Sequence, residues 1–88
     1  IYEISNLITV MEIKEFIENL AAQYEDTDAD VFTAETKFRE LDEWSSLTVM
    51  SIMAMADEEY DVTIKGDEIR SCTTVADLYN LVVSKANV

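Results

Sequence analysis

Apolar side chains recur at the spacing of one helix face in the segment that follows Met11. The residues on this face are Ile13, Phe16, Ile17, Leu20 and Tyr24. Glu12, Glu15 and Glu18 lie off the face, so the segment is amphipathic. The pattern predicts an α-helix over residues 11–24 with its apolar face toward a core.

Residues 47–56 form the most apolar segment of the chain and contain only two polar residues, Thr48 and Ser51. Ser45 or Ser46 is expected to be the N-cap of a helix here, because a serine oxygen accepts a bond from a backbone N–H that the helix leaves unpaired. A helix that is apolar over most of its circumference is either central or offers a second face to a partner. A serine hydroxyl at a helix N-terminus also suits a phosphodiester, because the helix dipole favours negative charge there.

The two sides of this second helix are assigned from its 3.6-residue period. We expect Met50 and Met53 to face the core, where methionine fills irregular gaps. The residues expected on the opposite, exposed side are Leu47, Thr48, Ser51 and Met55.

The remaining pattern predicts one short helix and one long helix. Residues 60–64 alternate apolar and polar side chains but have no evident partner strand, so we expect an extended loop there, followed by a helical turn at residues 67–70. Thr74 and Asp77 have the spacing of a capping box. The apolar stripe that follows consists of Val75, Leu78, Tyr79 and Val82. Three main helices and one short helix, with a long loop between the first and second, predict an all-α, four-helix bundle.

Composition narrows the function of the chain. Its 88 residues make one small domain, with 19 acidic residues, 6 basic residues and a net charge of −13. Nucleic acid and anionic membranes would repel such a chain, so we expect neither nucleic-acid binding nor membrane insertion. The absence of His and the single Cys72 exclude Ser-His-Asp and Cys-His catalysis and a typical zinc site, so no catalytic residue is predicted. A lone cysteine without a secretory signal favours a reducing, cytoplasmic location.

The acidic loop around Asp26, Asp28 and Asp30 has the start of a calcium-loop pattern. The sixth position of that pattern is Val31 where glycine is required, and the twelfth is Lys37 where a bidentate glutamate is required. We therefore predict a solvated acidic loop and no metal site.

Four blocks of sequence resemble the acyl carrier protein family. They are Thr36-Lys37-Phe38-Arg39-Glu40-Leu41, then Ser45-Ser46-Leu47, then residues 57–64, and finally residues 73–78. The resemblance covers roughly residues 11–83. We predict a single acyl carrier domain over residues 11–88, with residues 1–10 as an N-terminal extension that is either upstream sequence or an addition.

The resemblance implies a carrier with a covalent 4′-phosphopantetheine arm. A separate phosphopantetheinyl transferase would add the arm from coenzyme A, and acyl groups would be carried as thioesters on its thiol. The serine before the leucine is the attachment site in this family, and that position is Ser46 here. The implied partners are the transferase and the enzymes that load and process acyl groups. We expect the carrier itself to be a monomer.

The resemblance also assigns the surfaces. Fatty-acid carriers often place acids after the serine, where this chain has Thr48 and Ser51, which favours a specialised carrier over the housekeeping one. The predicted partner-binding residues are Leu47, Thr48, Ser51, Met55, Asp42, Glu43, Asp57 and Glu58. The predicted acyl-chain pocket consists of Met50, Met53 and Ile69. The alternatives are a peptidyl or aminoacyl carrier of non-ribosomal synthesis, or an acidic helical interaction module that is never modified.

Overall fold

The structure of the chain, a computed structural model, describes residues 13–86. It has four α-helices: α1 includes residues 13–21, α2 is Ser46–Tyr60, α3 is Gly66–Ser71 and α4 is Val75–Ala86. Two short 3₁₀ helices, Ala29–Val31 and Phe38–Glu40, lie between α1 and α2. The described residues contain no strand, and the predicted all-helical bundle is confirmed. The proposed extension over residues 1–10 lies outside the described part of the chain.

The core is built from the apolar stripes of all four helices. The fully buried side chains that represent them are Phe16 and Leu20 of α1, Ile52 of α2, Ile69 of α3, and Val75 and Leu78 of α4. Each such side chain contributes about 1.5–3 kcal/mol through removal from water. The ring of Phe16 contacts Tyr79 with centroids 5.5 Å apart and Tyr60 with centroids 5.8 Å apart. These ring contacts join α1 to α4 and to the end of α2.

The connection between α1 and α2 is long but anchored. Tyr24 packs on Phe32 with ring centroids 5.0 Å apart, and its hydroxyl donates to the carbonyl oxygen of Phe38 at 2.9 Å. Further along, the N–H groups of Val75 and Ala76 donate to carbonyl oxygens of the connection at 3.0 and 2.8 Å. The connection therefore closes one side of the core and pairs donors at the start of α4 that the helix itself leaves unpaired.

Helix α2 ends at Tyr60 and is followed by its C-cap residue Asp61, whose φ of 55° is left-handed, a conformation that aspartate tolerates better than most residues. The chain then runs extended to α3, as predicted, with Val62 and Ile64 buried. The predicted capping box of α4 is also confirmed: the N–H of Asp77 donates to Thr74 Oγ1 at 3.2 Å, and the N–H of Thr74 donates to Asp77 Oδ2 at 3.1 Å.

Candidate functional site

The two serines at the start of α2 have different roles in the structure. Ser45 is the N-cap, with an extended backbone, and its hydroxyl oxygen accepts the N–H of Thr48 at 3.4 Å. Ser46 is the first residue of α2, and its side chain is exposed. The Ser46 hydroxyl makes no hydrogen bond within residues 13–86. Of the two hydroxyls, that of Ser46 is therefore the one available to react.

The turn before Ser46 is held by packing and by hydrogen bonds. The ring of Trp44 meets the ring of Phe38 edge-on with centroids 5.7 Å apart, and the backbone N–H of Trp44 donates to the carbonyl oxygen of Leu41 at 3.0 Å. The hydroxyl of Thr48 donates to the carbonyl oxygen of Glu43 at 2.6 Å. The backbone on both sides of Ser46 is thus fixed, by the turn before it and by the first turn of α2.

The carboxylate of Glu43 points back toward the loop after α1. Its Oε1 accepts the N–H of Asp26 at 2.9 Å and the hydroxyl of Thr27 at 2.5 Å. The hydrogen bond from Thr27, followed by that from Asp26, lowers the pKa of Glu43 below its ordinary value. Burial, and secondarily the charge of Glu43, raises the pKa of Tyr24 well above its ordinary value. Glu43, which we predicted to bind partners, is therefore already engaged within its own chain.

The outward face of α2 carries two large exposed apolar side chains, Leu47 at 74% exposure and Met50 at 64%. With Ser51 and Ala54 they form one wall of an open groove of about 620 Å³ beside the end of α1. The groove is also lined by Ala22, Gln23 and Glu25, which follow α1, and by Glu43, Ser45 and Thr48 around the start of α2. Met50 and Ala54 follow Leu47 by three and seven residues. The helical period would therefore have placed them on this face once Leu47 was known to be exposed.

Three predicted orientations on α2 are wrong. Thr48 and Met55, expected on the exposed side, are 6% and 5% exposed. Thr48 is tolerated inside because its hydroxyl donates to the Glu43 carbonyl, so no buried donor is left unpaired. Met50, expected in the core, faces solvent. The predicted exposure of Leu47 is confirmed.

Comparison with known proteins identifies the family of this chain. Residues 15–82 match the family model described as "Phosphopantetheine attachment site". The chain is similar to an acyl carrier protein of Picosynechococcus sp., with 36% identity over 75 residues that cover 84% of this chain and 91% of that protein. It belongs to the acyl carrier protein family. No solved structure matches it.

The residues of this carrier at the start of α2 fit the phosphopantetheine group that the family carries. The first turn of α2 contains no acidic side chain, so a phosphodiester there would meet no like charge from that turn. The N–H groups of the first helical residues have no partner within the helix and favour an anion. The phosphodiester would therefore be held by the chain's own backbone, and the group itself would supply the thiol that bears the acyl thioester.

The acyl-chain pocket predicted for the carrier does not form as one cavity. Ile69 is fully buried, and Met50 lies in the exposed groove beside α1. Met53 is partly buried and lines a separate cavity of about 300 Å³ that includes Thr63 and Ile64. The three side chains therefore do not converge.

Two absences apply to residues 13–86, the part of the chain that the structure describes. No group of three or more His, Cys, Asp or Glu residues among them is placed to hold a metal ion. Within the same residues, no helix is long and apolar enough to cross a membrane. The predicted partner-binding acids Asp42, Asp57 and Glu58 are exposed.

Proposed function

We propose that this carrier holds its acyl groups on a 4′-phosphopantetheine arm attached to Ser46. The observation that supports this choice of residue is the difference in hydrogen bonding between the two serine hydroxyls. The Ser45 oxygen caps α2, whereas the exposed Ser46 hydroxyl is unbonded among the described residues. In the attachment reaction Ser46 Oγ attacks one phosphorus atom of the coenzyme A diphosphate, the one that is bonded to the pantetheine oxygen. The new O–P bond replaces the bond to the nucleotide, which leaves as adenosine 3′,5′-bisphosphate.

The proton of the Ser46 hydroxyl goes to a base on the transferase, because the carrier has no histidine to accept it. The carrier contributes by holding the Ser46 hydroxyl in an exposed position that the transferase can reach. The serine lies at the N-terminus of a 15-residue helix whose dipole stabilises the phosphodiester by about 0.3–1 kcal/mol.

The groove and its exposed wall are the proposed docking surface for partner enzymes. Leu47 and Met50 supply apolar anchors, and Ser51 lines the same groove. Asp57 and Glu58, at the far end of α2, supply the negative charge that a basic partner would meet. Because the positions that follow Ser46 are neutral, we propose a specialised carrier that is recognised more by apolar contact than by charge in this region.

The attachment site is tested by incubating the chain with coenzyme A and a broad-specificity phosphopantetheinyl transferase, then measuring intact mass. The wild type and Ser45→Ala should each gain one phosphopantetheine group, and Ser46→Ala should gain none. Uptake by Ser46→Ala but not by Ser45→Ala would move the site to Ser45. No uptake by the wild type would instead support the unmodified interaction module.

The specialised role is tested on the modified protein. A malonyl transferase of bulk fatty-acid synthesis should load it more slowly than it loads a housekeeping fatty-acid carrier at equal concentration. Equal rates would contradict the specialised role. Preferred loading by an adenylating enzyme for amino acids would identify the chain as an aminoacyl carrier.

A further inference from the structure

Glu43 lies in the turn before α2 and makes hydrogen bonds both to residues earlier in the chain and to a residue later in the chain. Its carboxylate reaches 16 and 17 residues back along the chain, to the Thr27 hydroxyl and the Asp26 N–H. Both bonds have a charged acceptor, a class that is roughly twice as strong as neutral hydrogen bonds. The side chain thus ties the loop after α1 to the turn that leads into α2.

The main chain of Glu43 is hydrogen-bonded to the first turn of α2. The Glu43 carbonyl accepts the hydroxyl of Thr48, and the N–H of Thr48 is capped by Ser45. Because Thr48 is buried, its position is fixed by the core as well. Ser46 lies between these fixed points, after the N-cap and within the first turn. A shift at Glu43 would therefore move the backbone that presents the Ser46 hydroxyl.

The charges around Glu43 oppose this arrangement unless the hydrogen bonds are made. The loop that it contacts includes Glu25, Asp26 and Asp28, all of the same sign. Without its two donors the Glu43 carboxylate would be repelled by this loop. By contrast, the side chain of Glu40, an exposed acid on the preceding 3₁₀ helix, makes no hydrogen bond among the described residues.

We infer that Glu43 is a positioning residue for the modification of Ser46. Its carboxylate holds the loop after α1 against the turn, and the turn in this state places the Ser46 hydroxyl where a transferase can use it. The inference rests on the proposed assignment of Ser46 as the attachment site. It differs from the partner-docking role that we predicted for Glu43, and the two roles have opposite experimental signatures.

The test measures kcat and KM of phosphopantetheine transfer for four variants. Glu43→Ala removes the oxygen that accepts both hydrogen bonds, whereas Glu43→Gln keeps an acceptor oxygen and removes the charge. Thr27→Val removes one donor and leaves the Glu43 carboxylate in place. Glu40→Ala is the control, because it removes an acid of the same charge that makes no side-chain bond.

For a positioning role, kcat should fall roughly 10- to 100-fold in Glu43→Ala, because small misplacements of a reacting group cost rates of this order. Thr27→Val should fall in the same direction by less, and Glu43→Gln should remain near the wild type. KM should change little in each case. Amide hydrogen exchange at Asp26 and Thr48 should accelerate in Glu43→Ala and Thr27→Val only.

Direct docking of the transferase on Glu43 would give the reverse pattern and would overturn the inference. KM would then rise equally in Glu43→Gln and Glu43→Ala, and Thr27→Val would behave as the wild type. An unchanged kcat in Glu43→Ala would also overturn it. Should Glu43→Ala fail to fold, Thr27→Val carries the test by itself. Failure of the wild type to be modified at Ser46 would refute the proposed function instead, so the two failures are distinguishable.

Discussion

Two adjacent serine side chains at the start of α2 differ in their hydrogen bonding. Ser45 and Ser46 are both exposed and adjacent, yet the Ser45 hydroxyl caps the helix and the Ser46 hydroxyl makes no hydrogen bond among the described residues. The difference comes from the backbone, because Ser45 has an extended φ of −162° and Ser46 is already helical. The N-cap preference alone predicts a serine at this point without choosing between the two. The family resemblance implies Ser46 as the attachment site, and the geometry supports that proposal.

The first prediction at this scale concerns Leu47, which is 74% exposed beside the proposed attachment site. Leu47→Ala should leave the free energy of unfolding within about 0.5 kcal/mol of the wild type, because surface changes seldom do more. It should raise the KM of loading enzymes by about 10-fold if Leu47 is an anchor at the centre of the interface. Steady-state kinetics with a carrier titration and thermal unfolding measure the two effects.

Val31→Ala is the matched control for Leu47, since Val31 is also an exposed apolar residue, on the first 3₁₀ helix. It should change neither the KM nor the unfolding temperature appreciably. An equal rise in KM for both variants would indicate general surface hydrophobicity and would count against a docking role for Leu47.

At the scale of elements, the sequence was most informative where a helix has one clearly polar side. Helix α4 buries Val75, Leu78, Tyr79 and Val82, the stripe that its period predicts. Helix α2 is apolar on nearly every side, so several rotations about its axis satisfy the pattern equally well. The pattern therefore predicts Met50 in the core and Met55 on the surface, the reverse of what the structure has.

The features that were missed depend on contacts between distant segments. Thr48 can be buried because a carbonyl oxygen of the preceding turn accepts its hydroxyl, and the Glu43 carboxylate points toward the loop after α1 because Asp26 and Thr27 offer donors there. Hydrophobic periodicity describes one element at a time and carries no information about such pairs. The capping box of α4 could be predicted because both of its partners lie within four residues.

The element-scale prediction concerns this capping box. Thr74→Ala removes the oxygen that accepts the N–H of Asp77 and should cost about 1 kcal/mol. For a domain of this size the unfolding temperature should fall by about 4–8 °C. Thr73→Ala is the control, because the Thr73 side chain makes no hydrogen bond among the described residues. An equal loss in both variants would contradict the capping role of Thr74.

The same box gives the stability a defined pH dependence. Hydrogen bonds from the N–H groups of Thr74 and then Thr73 hold the pKa of Asp77 below its ordinary value. A carboxyl with a lowered pKa in the folded state stabilises the fold above its unfolded pKa, and this contribution is lost as the pH falls through the folded value. The difference in stability between the wild type and Asp77→Asn should therefore be constant near neutral pH and shrink in acid. A difference that grows in acid would contradict this sign.

At the scale of the whole molecule, charge works against the fold that the core maintains. The chain carries 19 acidic residues against 6 basic ones, and the ion pair found among the described residues joins Lys85 to Glu68 at 3.1 Å. Such an imbalance destabilises a compact state through self-repulsion while it favours solubility and attraction to basic surfaces. The same repulsion opposes self-association through the exposed apolar groove.

The last prediction is that added salt stabilises the carrier. Its radius of gyration is 12.7 Å, which is less than the Debye length of about 30 Å at 0.01 M salt but more than the roughly 8 Å at 0.15 M. Sodium chloride over this range should therefore screen repulsion across the molecule and raise the unfolding temperature. Asp28→Asn with Asp30→Asn removes two negative charges and should reduce the salt dependence. Calcium and magnesium at equal ionic strength should act equally, because the acidic loop lacks the glycine and glutamate of a calcium site. A rise specific to calcium would show that the loop binds the ion, and an unfolding temperature independent of salt would show that repulsion does not limit stability.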